Sequence, residues 1–197
     1  MSVSKRDNLQ HTYGDYCVWS RTHGDELIDG AAYVREPPSP AYSHQAIAFE
    51  MARQLENQLD GTPWRVIMAP MDVRLPKATE PDDEIDTVVQ PDVIITRDKG
   101  KIDPRGIRGA PDWLAEVLSP STASYDRTVK IPMYERAGVP EVWLVDPKRG
   151  TVAVYRLASA QYGPPTIHKL SGRTRLTVVP DASVNWERVN AKALNED

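Results

Sequence analysis

The stretch Gly109–Pro147, GAPDWLAEVLSPSTASYDRTVKIPMYERAGVPEVWLVDP, decides how the chain is read. Its first segment, Asp112 to Leu118, is short, apolar and bounded by turn residues, which predicts a buried strand. Glu116 stands inside it, flanked by Leu114, Ala115, Val117 and Leu118. An ionised carboxylate costs several kcal/mol to bury unpaired, so a glutamate there needs a partner cation or a metal. After Ser119-Pro120-Ser121-Thr122 the pattern turns helical as far as Ala137, with Gly138 as a C-cap. Pro132 removes a backbone donor and disfavours a helical Ile131, so this helix is either kinked or begins near Ile131. Glu141–Asp146 (EVWLVD) predicts the next strand, and residues 151–156 (TVAVYR) a partner for it across Lys148-Arg149-Gly150.

Upstream, residues 64–75 (WRVIMAPMDVRL) and 87–96 (TVVQPDVIIT) read as two strands, separated by an acidic, proline-bearing loop from Pro76 to Asp86. Before them, Ala48, Met51, Ala52, Leu55 and Leu59 recur at helical spacing, with Glu50, Arg53, Glu56 and Gln58 outward. Ser43 is placed to cap this helix and Gly61 to end it. Glu26–Val34 carries two extended runs around Asp29-Gly30, a hairpin signal that Pro37, Pro38 and Pro40 bring to a stop. Residues 1–20 show no period and are expected to form a loosely ordered lead-in to one domain over residues 21–197. Weaker strands are expected at Thr166–Leu170 and Arg175–Val179. The order predicts a mixed α/β (α+β) layer structure: a central mixed sheet flanked by helices, an N-terminal hairpin and extra C-terminal strands.

Hydrophobic residues make up 40% and charged residues 26% of the 197, the balance of a soluble globular protein. No run approaches the ~20 apolar residues of a spanning helix, so no membrane association is expected. The first residues have no apolar core of the signal-peptide kind. A single cysteine, Cys17, excludes an internal disulfide or a CxxC site and fits the reducing cytoplasm. A net charge of −4 excludes a broadly basic nucleic-acid wrapper but leaves room for a local basic surface. Arg97, Lys99, Lys101, Arg105 and Arg108 cluster, as do Lys148 and Arg149. Solvated loop charge is the plainer account of them, a phosphate track the sharper one.

Asp92 and Glu116 fall on neighbouring strands, where antiparallel pairing can bring two carboxylates close enough to share a metal. Magnesium wants few carboxylates plus water and substrate phosphates, and the chemistry that follows is activation of water and stabilisation of a pentavalent phosphate. Lys130 can reach back over the sheet edge from the next segment to orient the attacking water or neutralise the developing phosphate charge, although a solvated lysine paired with Asp126 is the simpler account. His44 and Glu26 are accessory candidates, as a ligand or base. Trp113, Trp143 and Tyr134 read as core aromatics. There is no GxSxG elbow, HExxH, Walker loop or GxGxxG, and so no organic cofactor is expected.

Gln90-Pro91-Asp92-Val93, Gly109-Ala110-Pro111-Asp112, Glu116 to Thr122, Asp126, Lys130, Tyr134, Ala137 to Glu141 and Trp143 to Pro147 together resemble the Uma-type restriction-endonuclease-like family of the PD-(D/E)XK nuclease superfamily. Glu26 to Gly30 and Pro38-Ser39-Pro40 with His44 resemble its N-terminal half, so the likeness runs over roughly residues 23 to 180. The resemblance implies a core of helix, three antiparallel strands, helix and strand (αβββαβ). It implies a magnesium or manganese ion held by Asp92, Glu116 and the carbonyl of Val117. The superfamily's lysine two residues after the glutamate is Leu118 here, and Lys130 matches the position to which the family moves it. On this reading the protein is expected to be a DNA endonuclease, with Asp126, Glu26 and His44 as accessories and Arg97, Lys99, Lys101, Arg105 and Arg108 contacting phosphates, and a homodimer is the family-style expectation. A nuclease fold that binds nucleic acid or protein without cutting is the alternative.

Overall fold

The structure is a computed structural model that describes residues 3–5, 7–19, 25–35 and 41–193. Pro37, Pro38 and Pro40, expected to stop the hairpin, and the expected boundary near residue 20 lie outside the described residues.

Short strands build the first sheet. Asp29 and Gly30 both take positive φ, 49° and 75°, the primed turn that suits the right-handed twist of a tight hairpin. They join β2 (Glu26–Ile28) to β3 (Ala31–Arg35), as the Asp-Gly signal predicts. The sheet order is β1 (Val3–Lys5), β3, β2, β6 (Val88–Val89), β5 (Val73–Arg74), β9 (Gly106–Arg108) and β8 (Ile102–Asp103).

The second sheet runs β13 (Gln161–Tyr162), β12 (Thr151–Ala158), β11 (Glu141–Asp146), β10 (Trp113–Val117), β7 (Val93–Thr96) and β4 (Arg65–Met68), with β14 (Thr166–Lys169) also on β12. β4, β7 and β10 pair antiparallel, while β10 and β11 are parallel. A parallel pair needs a crossover, and here it is a helical run. That run comprises α3 (Ala123–Tyr125), a π-helical turn (Asp126–Lys130) and α4 (Ile131–Ala137). Pro132 lies in the first turn of α4, where its missing N–H is tolerated, and the wider π turn before it absorbs the break. Gly138 closes α4 with φ 79°. With α2 (Tyr42–Leu59) in front, the order helix, three antiparallel strands, helix, strand is the one expected.

The alternation of β10 organises both cores. Trp113, Ala115 and Val117 pack with Ile47, Met51 and Leu55 of α2 and with Val189 of α5 (Trp186–Ala193). Leu114 and Leu118 pack on the opposite face with Ile131 and Met133 of α4 and with Val73, Val89 and Ile107 of the first sheet. Each fully buried aliphatic side chain contributes roughly 1.5–3 kcal/mol of hydrophobic stabilisation. Glu116 shares the parity, and so the face, of Leu114.

Several expectations are corrected. The strand expected over 64–75 is two strands, β4 and β5, in different sheets. The strand over 87–96 likewise splits into β6 and β7 around Pro91, which cannot donate to a ladder. Residues 97–108 are not all loop, since β8 and β9 form there. The lead-in is ordered at α1 (Tyr13–Val18), because Tyr13 and Tyr16 stack and are buried, both bonded to Asp72. Ser43 lies inside α2, whose N-cap is Ala41. Glu50 is buried instead of outward, held by Arg53 and Gln54. In the tail the strand expected at Thr166–Leu170 forms as β14, whereas the one expected at Arg175–Val179 is replaced by Arg173–Arg175 paired with Ser183–Asn185, and α5 follows them.

Candidate active site

Asp92 immediately precedes β7 and Glu116 is the fourth residue of β10. The ladder pairs Val93 with Ala115 and Ile94 with Leu114, so Asp92 falls opposite Glu116 when the register is carried one residue further. Both carboxylates therefore sit at one end of the second sheet. The Val117 N–H donates to Asp92 Oδ2 at 2.7 Å, and His44 Nε2, from the first turn of α2, is 3.3 Å from the same oxygen. The position of Pro91 explains the arrangement: the strand is broken just before Asp92, which frees the carboxylate to turn onto the next backbone amide.

Glu116 is 2% exposed and Lys130 fully buried. Lys130 Nζ lies 2.5 Å from Glu116 Oε1 and 2.8 Å from Glu26 Oε1, so a single ammonium ties the first sheet to the second. The Tyr134 hydroxyl donates to Glu116 Oε1 at 2.5 Å. Gln90 N–H donates to Glu26 Oε1 at 3.1 Å, which gives the Gln90-Pro91-Asp92 run a role on both sides of its proline. The π turn places both Asp126 and Lys130 in the buried interior.

Burial pushes the Glu116 carboxyl up to about 8; Lys130 opposes the rise, and the charges of Asp92, Asp126 and Glu26 add to it. Burial, then the charge of Glu116, drives Tyr134 well above the usual phenol range, so its hydroxyl is a donor at any working pH. Four carboxyl groups, Glu116, Asp92, Asp126 and Glu26, thus lie within electrostatic reach of one another around Lys130. Among the described residues no three His, Cys, Asp or Glu side chains converge to hold a metal unaided. The donors present are the carboxylates of Asp92 and Glu116, opposite one another at the end of the ladder, with Val117 tied to Asp92 through its N–H. This set fits a magnesium-type ion, which keeps most of its waters, and does not fit a closed zinc site.

The other expected residues are distributed differently. Arg105 Nη2 and Arg108 Nε bond to Asp82 at 2.5 and 2.7 Å, and the buried Arg74 bonds to Asp82 as well, with Asp103 2.7 Å away. Lys101 Nζ donates to the Ala110 carbonyl at 2.7 Å. The Arg97 guanidinium lies over Trp64, while Lys99 is exposed. Arg97 follows Thr96, the end of β7 far from Asp92. Four residues of strand put these two ends about 13 Å apart. Tyr134, read as a core aromatic, is a direct partner of Glu116, and its spacing of four residues from Lys130 was the available signal.

The αβββαβ core with a carboxylate pair at its strand ends defines the restriction-endonuclease-like class of nuclease folds. The chain belongs to the Uma2 family, described as "Putative restriction endonuclease", whose pattern matches residues 15–188. A solved structure described as "a putative nuclease belonging to DUF820", from Anabaena variabilis, is similar to it with a TM-score of 0.71 and 20% identity, over 92% of this chain and 98% of that one. No functionally curated protein matches the chain.

Proposed function

We propose that the protein is a magnesium- or manganese-dependent endonuclease that hydrolyses phosphodiester bonds of DNA. The observation that carries this is the position of Asp92 opposite Glu116, one residue beyond the end of the β7–β10 ladder, with Glu116 held by Lys130 and Tyr134. Asp92, Glu116 and the Val117 carbonyl would hold the cation. When bound, it would polarise the phosphate and stabilise the charge that develops as a water oxygen adds to phosphorus and an ester oxygen leaves. Lys130 and Tyr134 both bond to Oε1 of Glu116, which orients the carboxylate and would leave its other oxygen for the cation. His44 does the same for Asp92. Asp126 and Glu26 supply further negative charge around Glu116. The buried Lys130 is a positioning residue on this account, since it meets no solvent from which a phosphate could approach.

A homodimer would pair two such sites for cuts on both strands of a duplex. No helix among the described residues is long and apolar enough to cross a membrane, and the lone cysteine agrees with a cytoplasmic setting.

The direct assay is conversion of supercoiled plasmid to nicked and linear forms in magnesium or manganese, with EDTA and Asp92→Ala as controls. Cleavage that both controls abolish is expected. Wild-type protein that binds DNA but leaves it intact in either metal would instead make this a nuclease fold that binds without cutting. The complete burial of Lys130 is the feature that favours that second function.

A further inference from the structure

The strand directions place a second basic group beside the carboxylate pair. β10 and β11 are parallel, so Val117 and Val145 end together. β12 runs antiparallel to β11 and pairs Thr151 with Asp146, and β14 pairs Lys169 with Thr151. Asp92, Glu116, Asp146, Thr151 and Lys169 therefore lie along one end of the second sheet, across β7, β10, β11, β12 and β14. Four strand spacings of about 4.8 Å make this rim roughly 19 Å long, the length of about six nucleotide steps of one B-DNA strand.

Cations dominate the rim. Lys148 and Arg149 fill the turn between β11 and β12, and Lys169 ends β14; all three are exposed, Arg149 by 74% of its side chain. Arg127, from the π turn, is one-third exposed and bonds to Asp146 at 2.5 Å. Arg149 Nε is 3.8 Å from the same carboxylate, which is itself nearly buried. At the β11–β14 end of this rim four cations thus accompany one carboxylate, Asp146, which Arg127 and Arg149 contact, so that the cations outnumber the carboxylates away from Asp92 and Glu116. Between Glu116 and Arg127, the hydroxyls of Ser119, Ser121 and Thr122 form one hydrogen-bonded group, Ser119 Oγ being 2.8 Å from Ser121 Oγ and 3.1 Å from Thr122 Oγ1. Hydroxyls and long cations along one track are the usual partners of phosphate oxygens. The Arg97–Arg108 segment offers less, because Arg105 and Arg108 are neutralised by Asp82 and Arg97 starts from the far end of β7.

We propose that Arg127, Lys148, Arg149 and Lys169 form the surface along which the phosphodiester backbone of duplex DNA lies as it reaches Asp92 and Glu116. This rests on the nuclease reading of that site and assigns its phosphate contacts to the strand-end rim. The test is fluorescence anisotropy of a labelled ~20-base-pair duplex titrated with the full chain in EDTA over a series of salt concentrations. Three proteins are compared: wild type, Lys148→Ala/Arg149→Ala/Lys169→Ala, and Lys99→Ala. Because the substituted side chains are exposed, the melting temperature should stay unchanged in both variants. The triple variant is expected to bind roughly 10-fold or more weaker at low salt, its salt slope reduced by about 2 to 3, with Lys99→Ala like wild type. Wild-type binding that the triple variant retains in full would overturn the rim while leaving the nuclease site standing. An absence of duplex binding by wild type would overturn the rim and the DNA substrate together, and the plasmid assay reports on the site separately.

Discussion

The Lys130 ammonium lies 2.5 Å from Glu116 Oε1 with neither side chain more than a few per cent exposed. A cation bridging carboxylates of two sheets is both a structural tie and the brace of a candidate metal ligand, and the two roles separate under mutation.

Lys130→Ala leaves Glu26 buried without its cation and Glu116 Oε1 without one of its two partners. Removing one partner of a buried pair costs about 3–5 kcal/mol, which in a protein of this size lowers Tm by roughly 6–20 °C. Thermal denaturation at pH 7 checks it, and a change under ~2 °C would mean the ion pair contributes nothing net.

Glu116 gives the metal-free protein a pH dependence of defined sign. Its folded pKa, about 8, lies above the ordinary 4.5, so the folded state binds the extra proton between those values. Its contribution is fully present below pH 4.5 and is lost as pH rises through about 8. In EDTA, Tm should fall between pH 5 and 8.5 more steeply for wild type than for Glu116→Gln. Glu116→Ala should equal or exceed wild type in Tm near pH 8, since it removes a like charge beside Asp92 while Lys130 keeps Glu26. A clear loss of Tm in Glu116→Ala would make Glu116 a structural ion-pair partner instead.

Tyr134→Phe removes one hydroxyl bonded to Glu116 Oε1. Loss of such an outer partner typically weakens a metal site about 10-fold or more. Magnesium affinity by calorimetry should drop accordingly while far-ultraviolet circular dichroism stays unchanged. An unaltered affinity would reduce Tyr134 to a packing residue.

Asp82→Asn tests what the arginines near it are for. Arg74, Arg105 and Arg108 converge on that carboxylate, and Arg74 is fully buried. Neutralising it should cost on the order of 2–4 kcal/mol of stability and leave magnesium affinity as it was. Stronger DNA binding without loss of stability would show that Asp82 merely masks a phosphate site.

The core was readable because its elements are long enough to show a period: α2 repeats its apolar residues at helical spacing, and β10, β11 and β12 are apolar runs bounded by turns. Glu116 stood out as a charge inside such a run. The first sheet was hidden because strands such as Val73–Arg74 and Val88–Val89 are too short for any period. Pro91 sat inside what looked like one strand and in fact divides two sheets. α5 carried a signal, Trp186, Val189 and Ala193 at i, i+3 and i+7, diluted by the polar residues between them. The basic cluster was visible by composition, but its neutralising partner Asp82 is more than twenty residues away and joins it only through the fold. Strand direction, which sets Arg97 at the opposite end of β7 from Asp92, cannot be read from charge alone.

The most direct measurement of the central claim is calorimetric titration of magnesium and manganese into wild type and the Asp92→Ala/Glu116→Ala variant. Binding to wild type that disappears in the variant is the expected result, because those carboxylates provide the charge that holds the ion. Equal binding by both proteins, or none by wild type, would contradict a metal site at Asp92 and Glu116.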